Sequence, residues 1–392
     1  MKDIDLPPRF NIPFASAQVA PFIRDVPDAP PGTPGAASLQ LGFPGPDCFT
    51  PPTAGGTPPF GQDFNGLLKK VTQWTRWQAA GAPTFYDAGF STAIGGYPKS
   101  ALLASTSIDG LVWRSLSDDN VVDPETAGQT AWVPFSRVLL TANATFYVSI
   151  TGNDTTGNGS IGAPFRTMQK LINVLARFYD WGGFGVTAIR QDSVTAYTDS
   201  TVISGKFVGQ SGSPLIITAS SSANVSVSVN TSEVYKVDSG AFVNITNQKI
   251  SNSGGNGLYA TRGSTMTHSG MDFGTCAQAH ILVDRISQAL QLGGNNVSGG
   301  ASSHAAANSN SLCELSGAIN FSTIGTAFSS FVTGSTANIQ TTGVSFTGNS
   351  GSVTGLKFVI DANGIINSGS SGNLNFFPGN LAGTQNNGGR YL

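Results

Sequence analysis

Ten carboxylates lie in residues 141–392: Asp154, Asp180, Asp192, Asp199, Glu233, Asp238, Asp272, Asp284, Glu314 and Asp361. Cleaving a glycosidic bond takes two carboxyl groups about 5–10 Å apart, and ten acids in so long a stretch are sparse material for it. Some recur at a fixed distance from polar partners. Asp238 precedes Arg262 by 24 residues, Arg262 precedes Arg285 by 23, and Asp284 adjoins Arg285. Stacked in register, these form either a sugar-binding charge cluster or a solvated ion-pair corner that adds little stability. Asp272 opens a second series with Asn296, Asn320 and Ser345. That series reads as an outward polar row, or a stacked amide ladder, and not as an acid–base pair. No catalytic residue is expected. If the chain does cut a glycan, Asp238, Asp284 and Asp272 are the candidates.

Other chemistry finds less. His280 and His304 are also 24 residues apart and can stack, but no third ligand accompanies them, so no metal site is expected. The loop GNDTTGNGS, residues 152–160, lacks the bidentate acid at position 12 of a calcium-binding EF-hand loop and reads as a turn. No glycine-rich phosphate loop with a following Lys-Ser/Thr is present, and no cofactor is expected. Cys48, Cys276 and Cys313 are dispersed and odd in number, which disfavours a disulfide framework or a zinc site.

The composition says what kind of scaffold must position such residues. Of 392 residues only 11% are charged, the net charge is -2, and 49 are glycine. Low charge with abundant Gly, Ser, Thr and Asn points to stacked β-structure with many turns. The 24 phenylalanines and five tryptophans argue against disorder. A near-neutral chain carries no electrostatic footprint for nucleic acid. No run of about 18 apolar residues exists to cross a membrane, and the first residues show no secretory h-region. Synthesis in a reducing cytosol is expected.

A period organises the second half. The short strands NQKI, GMDF, NNV, AINF and GVSF end at Ile250, Phe273, Val297, Phe321 and Phe346, spaced 23, 24, 24 and 25. A second column, Asp238, Arg262, Arg285, Ser309, Gly334 and Ala362, keeps nearly the same period. About 24 residues make one coil of a parallel β-helix with three short strands, and coils stack at ~4.8 Å. The exposed apolar end of such a stack needs a cover. The stretch PFRTMQKLINVLARF supplies one: Phe165, Met168, Leu171, Ile172, Leu175 and Phe178 fall on one helical stripe, with Pro164 in the first turn.

Upstream, residues 1–60 hold 14 of the 21 prolines and form no core. They read as a linker or as an extended arm laid along a larger assembly, and the apolar Phe10, Phe14 and Phe22 favour the arm. Residues 61–140 read as a small α/β module. Its helix carries Phe64, Leu67, Leu68, Val71, Trp74 and Trp77 at helical spacing. That wide aromatic stripe serves either a self-contained core or a helix–helix seam between subunits. Together these nine residues are the interface candidates, toward another subunit or a larger assembly. The expected organisation is an arm (1–60), an attachment module (61–140), a β-helix (141–380, capping helix about 164–178) and a C-terminal tip (381–392).

Two stretches carry a resemblance. YVSITGNDTTGNGSIGAPFRTMQKLIN, residues 147–173, resembles the entry motif of pectin-lyase-like right-handed β-helix proteins, in which strand, loop and capping helix succeed one another in this order. PPFGQDFNGLLKKVTQWTRWQAAGAPTFYDAGFSTAIGGYPKSALLAS resembles a module of bacteriophage tail fibre proteins, with AIGGYPK at 93–99. The resemblance implies a mainly β tail fibre in the virion, made in the host cytoplasm. It implies a homotrimer joined to a tail adaptor or tail-tube protein through its N-terminal region, with its β-helix turned to host glycan or lipopolysaccharide. It leaves two alternatives, a depolymerase (glycoside hydrolase or polysaccharide lyase) and an adaptor carrying another receptor-binding protein.

Overall fold

The structure is a computed structural model that describes residues 11–43, 54–192, 196–220, 225–370 and 372–392. Phe10 and Cys48 lie outside the described residues. The chain forms two compact units, Met1–Tyr86 and Asp87–Leu392, so the stretch 61–140 is divided between them.

In the first unit, helix α1 (Gly61–Ala79) carries Asp63 in its first turn, facing the positive end of the helix dipole. It ends where Gly81 takes a left-handed φ of 73°.

The second unit opens with helix α2 (Ala88–Ile94), capped by Asp87, whose Oδ1 accepts a 2.8 Å hydrogen bond from the Phe90 amide. The segments SALLAS, GLVWRSL and TAWVPF form an antiparallel sheet of Leu102–Ala104, Val112–Ser115 and Trp132–Pro134. Trp113 stacks edge-on against Phe178 at 5.5 Å, which ties this sheet to the helix that covers the solenoid.

From about residue 187 to 391 the chain winds a parallel β-solenoid of about eight turns. Three strands make a coil: Glu233–Asp238, Phe242–Thr246 and Lys249–Asn252 are succeeded by Asn256–Ala260, which pairs on the first of them. Vertical columns run Ile250–Phe273–Val297–Phe321 and Val237–Ala260–Val283–Ala307, all fully buried. Each coil leaves half of every strand's apolar face for its neighbours, so the stack holds only as a stack. Eight coils at ~4.8 Å give a body about 40 Å long. Residues 384–391 belong to it, because Thr384–Gln385 and Arg390–Tyr391 pair with the preceding coil.

The expected columns hold until the coils lengthen. Phe321 pairs with Gly348, and Phe346 pairs with Ile319, after an irregularity at Ser316/Ala318. Gly348 sits there because an added Cβ would lie 2.5 Å from the Phe321 carbonyl oxygen. For the same reason Asn320 stacks on Thr347 and not on Ser345. The second column is a corner of left-handed residues, Ser239, Arg262, Arg285, Ser309, Thr336 and Ala362, at φ 48–54°. Asp238 and Gly334 therefore stand outside it, by one and two residues.

The entry motif forms as strand, loop and helix, with one correction. Helix α3 (Met168–Phe178) begins four residues after Pro164, because Thr167 is its N-cap and accepts from the Lys170 amide at 3.2 Å. Pro164–Arg166 stays outside the helix, Phe165 bridging to Val148. Met168, Leu171, Ile172 and Leu175 are buried, and each such side chain contributes about 1.5–3 kcal/mol to covering the first coil. The loop's carboxylate is already committed. Asp154 accepts from the Arg166 amide (2.8 Å), the Thr167 amide (3.1 Å) and the Thr167 hydroxyl (2.7 Å). Replacing Asp154 with alanine is expected to lower stability by about 2 kcal/mol, with asparagine intermediate. Calcium should leave the wild-type thermal melt unmoved, whereas a calcium-dependent rise would make this a cation loop.

Candidate functional site

The three candidate carboxylates are each paired with a cation. Asp238, with a side chain only 4% exposed, is held in a bidentate ion pair by Arg262 from the next coil. Hydrogen bonding to Arg262 lowers its pKa below the usual carboxylate value. A general acid for glycoside cleavage needs the opposite shift. Asp284 meets Arg285 at 3.5 Å and accepts from the Tyr259 hydroxyl at 3.4 Å. Lys236 lies over the Tyr259 ring at 5.5 Å. Asp272 faces Lys249 at 3.6 Å. Asp238–Arg262 and Asp272–Lys249 bridge neighbouring coils, and Asp284–Arg285 pairs within one.

The amide ladder exists. Asn296 donates to Asp272 (2.9 Å), Asn320 donates to Asn296 (2.8 Å), and the Thr347 hydroxyl reaches Asn320 (3.3 Å). Around the left-handed corner, an open depression of about 500 Å³ is lined by Asn310, Ser311, Thr336, Asn338 and Asn363 together with Ala362. Exposed amides in such a recess, Asn310 and Asn363 among them, match the hydroxyl-rich edge of a sugar, while Ala337 and Ile365 complete its lining.

His280 and His304 do stack one coil apart, but inside the solenoid. Both are fully buried, with their Nδ1 atoms 3.1 Å apart. A third histidine, His268, joins them. It is fully buried too, with Nδ1 3.2 Å from the Asn295 amide nitrogen. Rings of Phe273, Phe328 and Phe331 enclose the group, and all three Nε2 atoms are without partners. Desolvation lowers the pKa of His268 and His280 to about 4 and that of His304 well below its ordinary value. Among the described residues no group of three His, Cys, Asp or Glu is arranged to hold a metal ion. Cys276 and Cys313 are buried free thiols, and burial pushes both up to about 12, far from nucleophilic use.

A second buried polar group went unrecognised in sequence. Arg190 is fully buried. Its guanidinium donates to Asp199 (2.9 and 3.2 Å) and to the Tyr235 hydroxyl (3.0 Å), and it lies over the Tyr197 ring at 4.3 Å. Asp199 in turn accepts from the Met168 amide at 2.8 Å, at the start of α3. Arg190 shares parity with the buried Val186 and Ala188, and His268 with the buried Met266. Strand alternation was the signal that marked both as inward.

The interface candidates lie in the first unit. Arg24 and the Ala37 amide bind the buried carboxylate of Asp63. The Phe14 amide donates to Thr72 at 2.9 Å. Asp63, Gly66 and Thr72 are the buried residues of α1, while Phe14, Phe22 and all six residues of the apolar stripe are exposed. The stripe is not the inside of a self-contained core. Among the described residues, no helix is long and apolar enough to cross a membrane.

Comparison with known protein families, curated proteins and solved structures finds no match to this chain.

Proposed function

We propose that the chain is a structural attachment protein, a bacteriophage tail fibre. Its N-terminal region docks on a tail protein, and its solenoid meets glycan or lipopolysaccharide at the host surface. The phage assignment is supported by the resemblance of the stretch around AIGGYPK, residues 93–99, to a tail fibre module; the entry-motif resemblance bears on the fold alone. The preference for adhesion over cleavage is supported by one observation: the surface acids Asp238, Asp284 and Asp272 are tied to Arg262, Arg285 and Lys249. The corner depression instead offers uncharged amides and hydroxyls. Adhesion needs many hydrogen bonds and no proton transfer, and such a surface supplies that.

The test uses purified full chain and the surface polysaccharide of the host. Binding without shortening of the polysaccharide is expected. Asn310→Gly combined with Asn363→Gly, both of which keep a left-handed turn, should weaken binding about tenfold or more, two hydrogen bonds being worth about 1 kcal/mol each. Shortened polysaccharide would make the protein a depolymerase, and unchanged binding by the double variant would move the site elsewhere.

A further inference from the structure

We infer that Ile286 is a specificity-determining contact at the rim of the corner depression, placed to hold the methyl group of a 6-deoxy or acetylated sugar. The inference rests on the reading of that depression as a glycan site and names the kind of sugar it takes. At the left-handed corner two successive residues of a coil have positive φ. The second of them is Gly240, Gly263, Asn310 and Asn363 in four other coils, at φ 58–79°, residue types that adopt this conformation readily. In the coil between Gly263 and Asn310 it is Ile286, at φ 62° after Arg285 at 52°. A β-branched residue at such a φ is a genuine outlier. The side chain gains little packing in return, for Ile286 is 73% exposed. Nor does the corner ladder ask for it. The Ile286 amide donates to the Ser309 carbonyl (3.0 Å), as the Gly263 amide does to Arg285 (3.1 Å) and the Asn310 amide to Thr336 (2.6 Å). Glycine or asparagine would serve the backbone equally. Strain held at a position that the fold does not need points to function.

Its place says what it meets. Ile286 stands one coil before Asn310, the first amide of the depression. Beside it are Gly263 and the side chains of Arg262 and Arg285, 54% and 63% exposed and already facing Asp238 and Asp284. A protein partner takes on the order of 1,000 Å² around an apolar centre. One isoleucine among charged and small residues does not supply that. A sugar fits better. Its hydroxyls meet the amides of Asn310 and Asn363 while its methyl group covers the isoleucine, since apolar contact beside a few placed polar groups is how small ligands are held. One coil rise of about 4.8 Å separates the isoleucine from the first amide, a span that one sugar ring bridges.

The measurement is binding of the host surface polysaccharide to the purified full chain, read also by saturation-transfer NMR. Methyl protons of the polysaccharide should receive the strongest transfer. The methyls of 6-deoxy and acetyl groups resonate apart, so the spectrum tells which is held. Ile286→Gly should lose that methyl signal and bind about fourfold more weakly, the worth of one buried methyl group. It should melt no lower than wild type, because relief of the left-handed strain offsets the larger freedom of glycine in the unfolded chain. Ile286→Val should bind as wild type does. A methyl signal no stronger than that of the ring protons would overturn the proposal. So would a lower melting temperature in Ile286→Gly, which would make the isoleucine a packing residue. A polysaccharide that binds wild type and Ile286→Gly alike overturns this inference alone, whereas one that wild type does not bind overturns the glycan reading with it.

Discussion

Replacing Arg190 with alanine is expected to destabilise the entry end of the solenoid by about 3–5 kcal/mol, the cost of leaving a buried ion pair with one partner. The effect is large because one guanidinium serves three groups. It neutralises Asp199, satisfies the hydroxyl of the fully buried Tyr235, and packs on Tyr197. Asp199 also receives the first amide of α3, so the loss reaches the helix that covers the first coil. Solenoids hold by nearest-neighbour contacts. Hydrogen exchange should therefore show α3 and the first coils opening before the later ones. Removing both charges, with Arg190→Met and Asp199→Asn, should recover much of the loss, since apolar replacement of a whole buried pair is often neutral. Chemical denaturation of both variants checks this. An alanine variant within about 1 kcal/mol of wild type would mean water reaches the pair.

Acidification is expected to cost the solenoid more still, through the three histidines. Their folded pKa values are depressed by burial, so the folded state keeps them neutral while the unfolded chain protonates near 6.5. Above that pH no penalty exists. As pH falls from about 6.5 toward about 4, the unfolded state binds protons that the folded state refuses, and stability drops. Below about 4 the folded His268 and His280 protonate as well, and their loss levels off. A depression from 6.5 to about 4 corresponds to about 3 kcal/mol for each of His268 and His280. The diagnostic window is pH 6.5 to 5, where most carboxylates are still ionised. Thermal melts at closely spaced pH values should fall across it. Replacing His268 with leucine should flatten the slope by about one proton. A melting temperature constant from pH 7 to 5 would show that the rings are hydrated or charged in the folded state.

Much of the architecture was legible because it is written locally. A three-strand coil of about 24 residues leaves a period, alternating burial marks the inward side chains, and an amphipathic stripe before the first coil marks its cover. Val225, Val227 and Val229 are buried, as the alternation in ANVSVSVN implies. The amide row from Asp272 to Asn320 was readable for the same reason. What failed was extrapolation: coils of 23 and 24 residues predict their neighbours, but 27 residues separate Ser309 from Thr336 at the corner. That lengthening moved Phe346 and Ser345 off their columns. The start of α3 was misplaced because Thr167, and not the proline, satisfies the first turn.

By itself the sequence determined the class of fold, the existence of stacked coils and the helix that covers their end, since these arise from spacing and polarity along the chain. The tertiary structure decided which polar residues meet. His268 joins His280 and His304, Arg190 finds Asp199 and Tyr235, and α1 turns Asp63 toward its arm and its tryptophans outward. The physical reason is that meetings across coils depend on the summed lengths of every turn between them, and one inserted residue changes the neighbour. A periodic pattern survives such insertions, and a constellation does not.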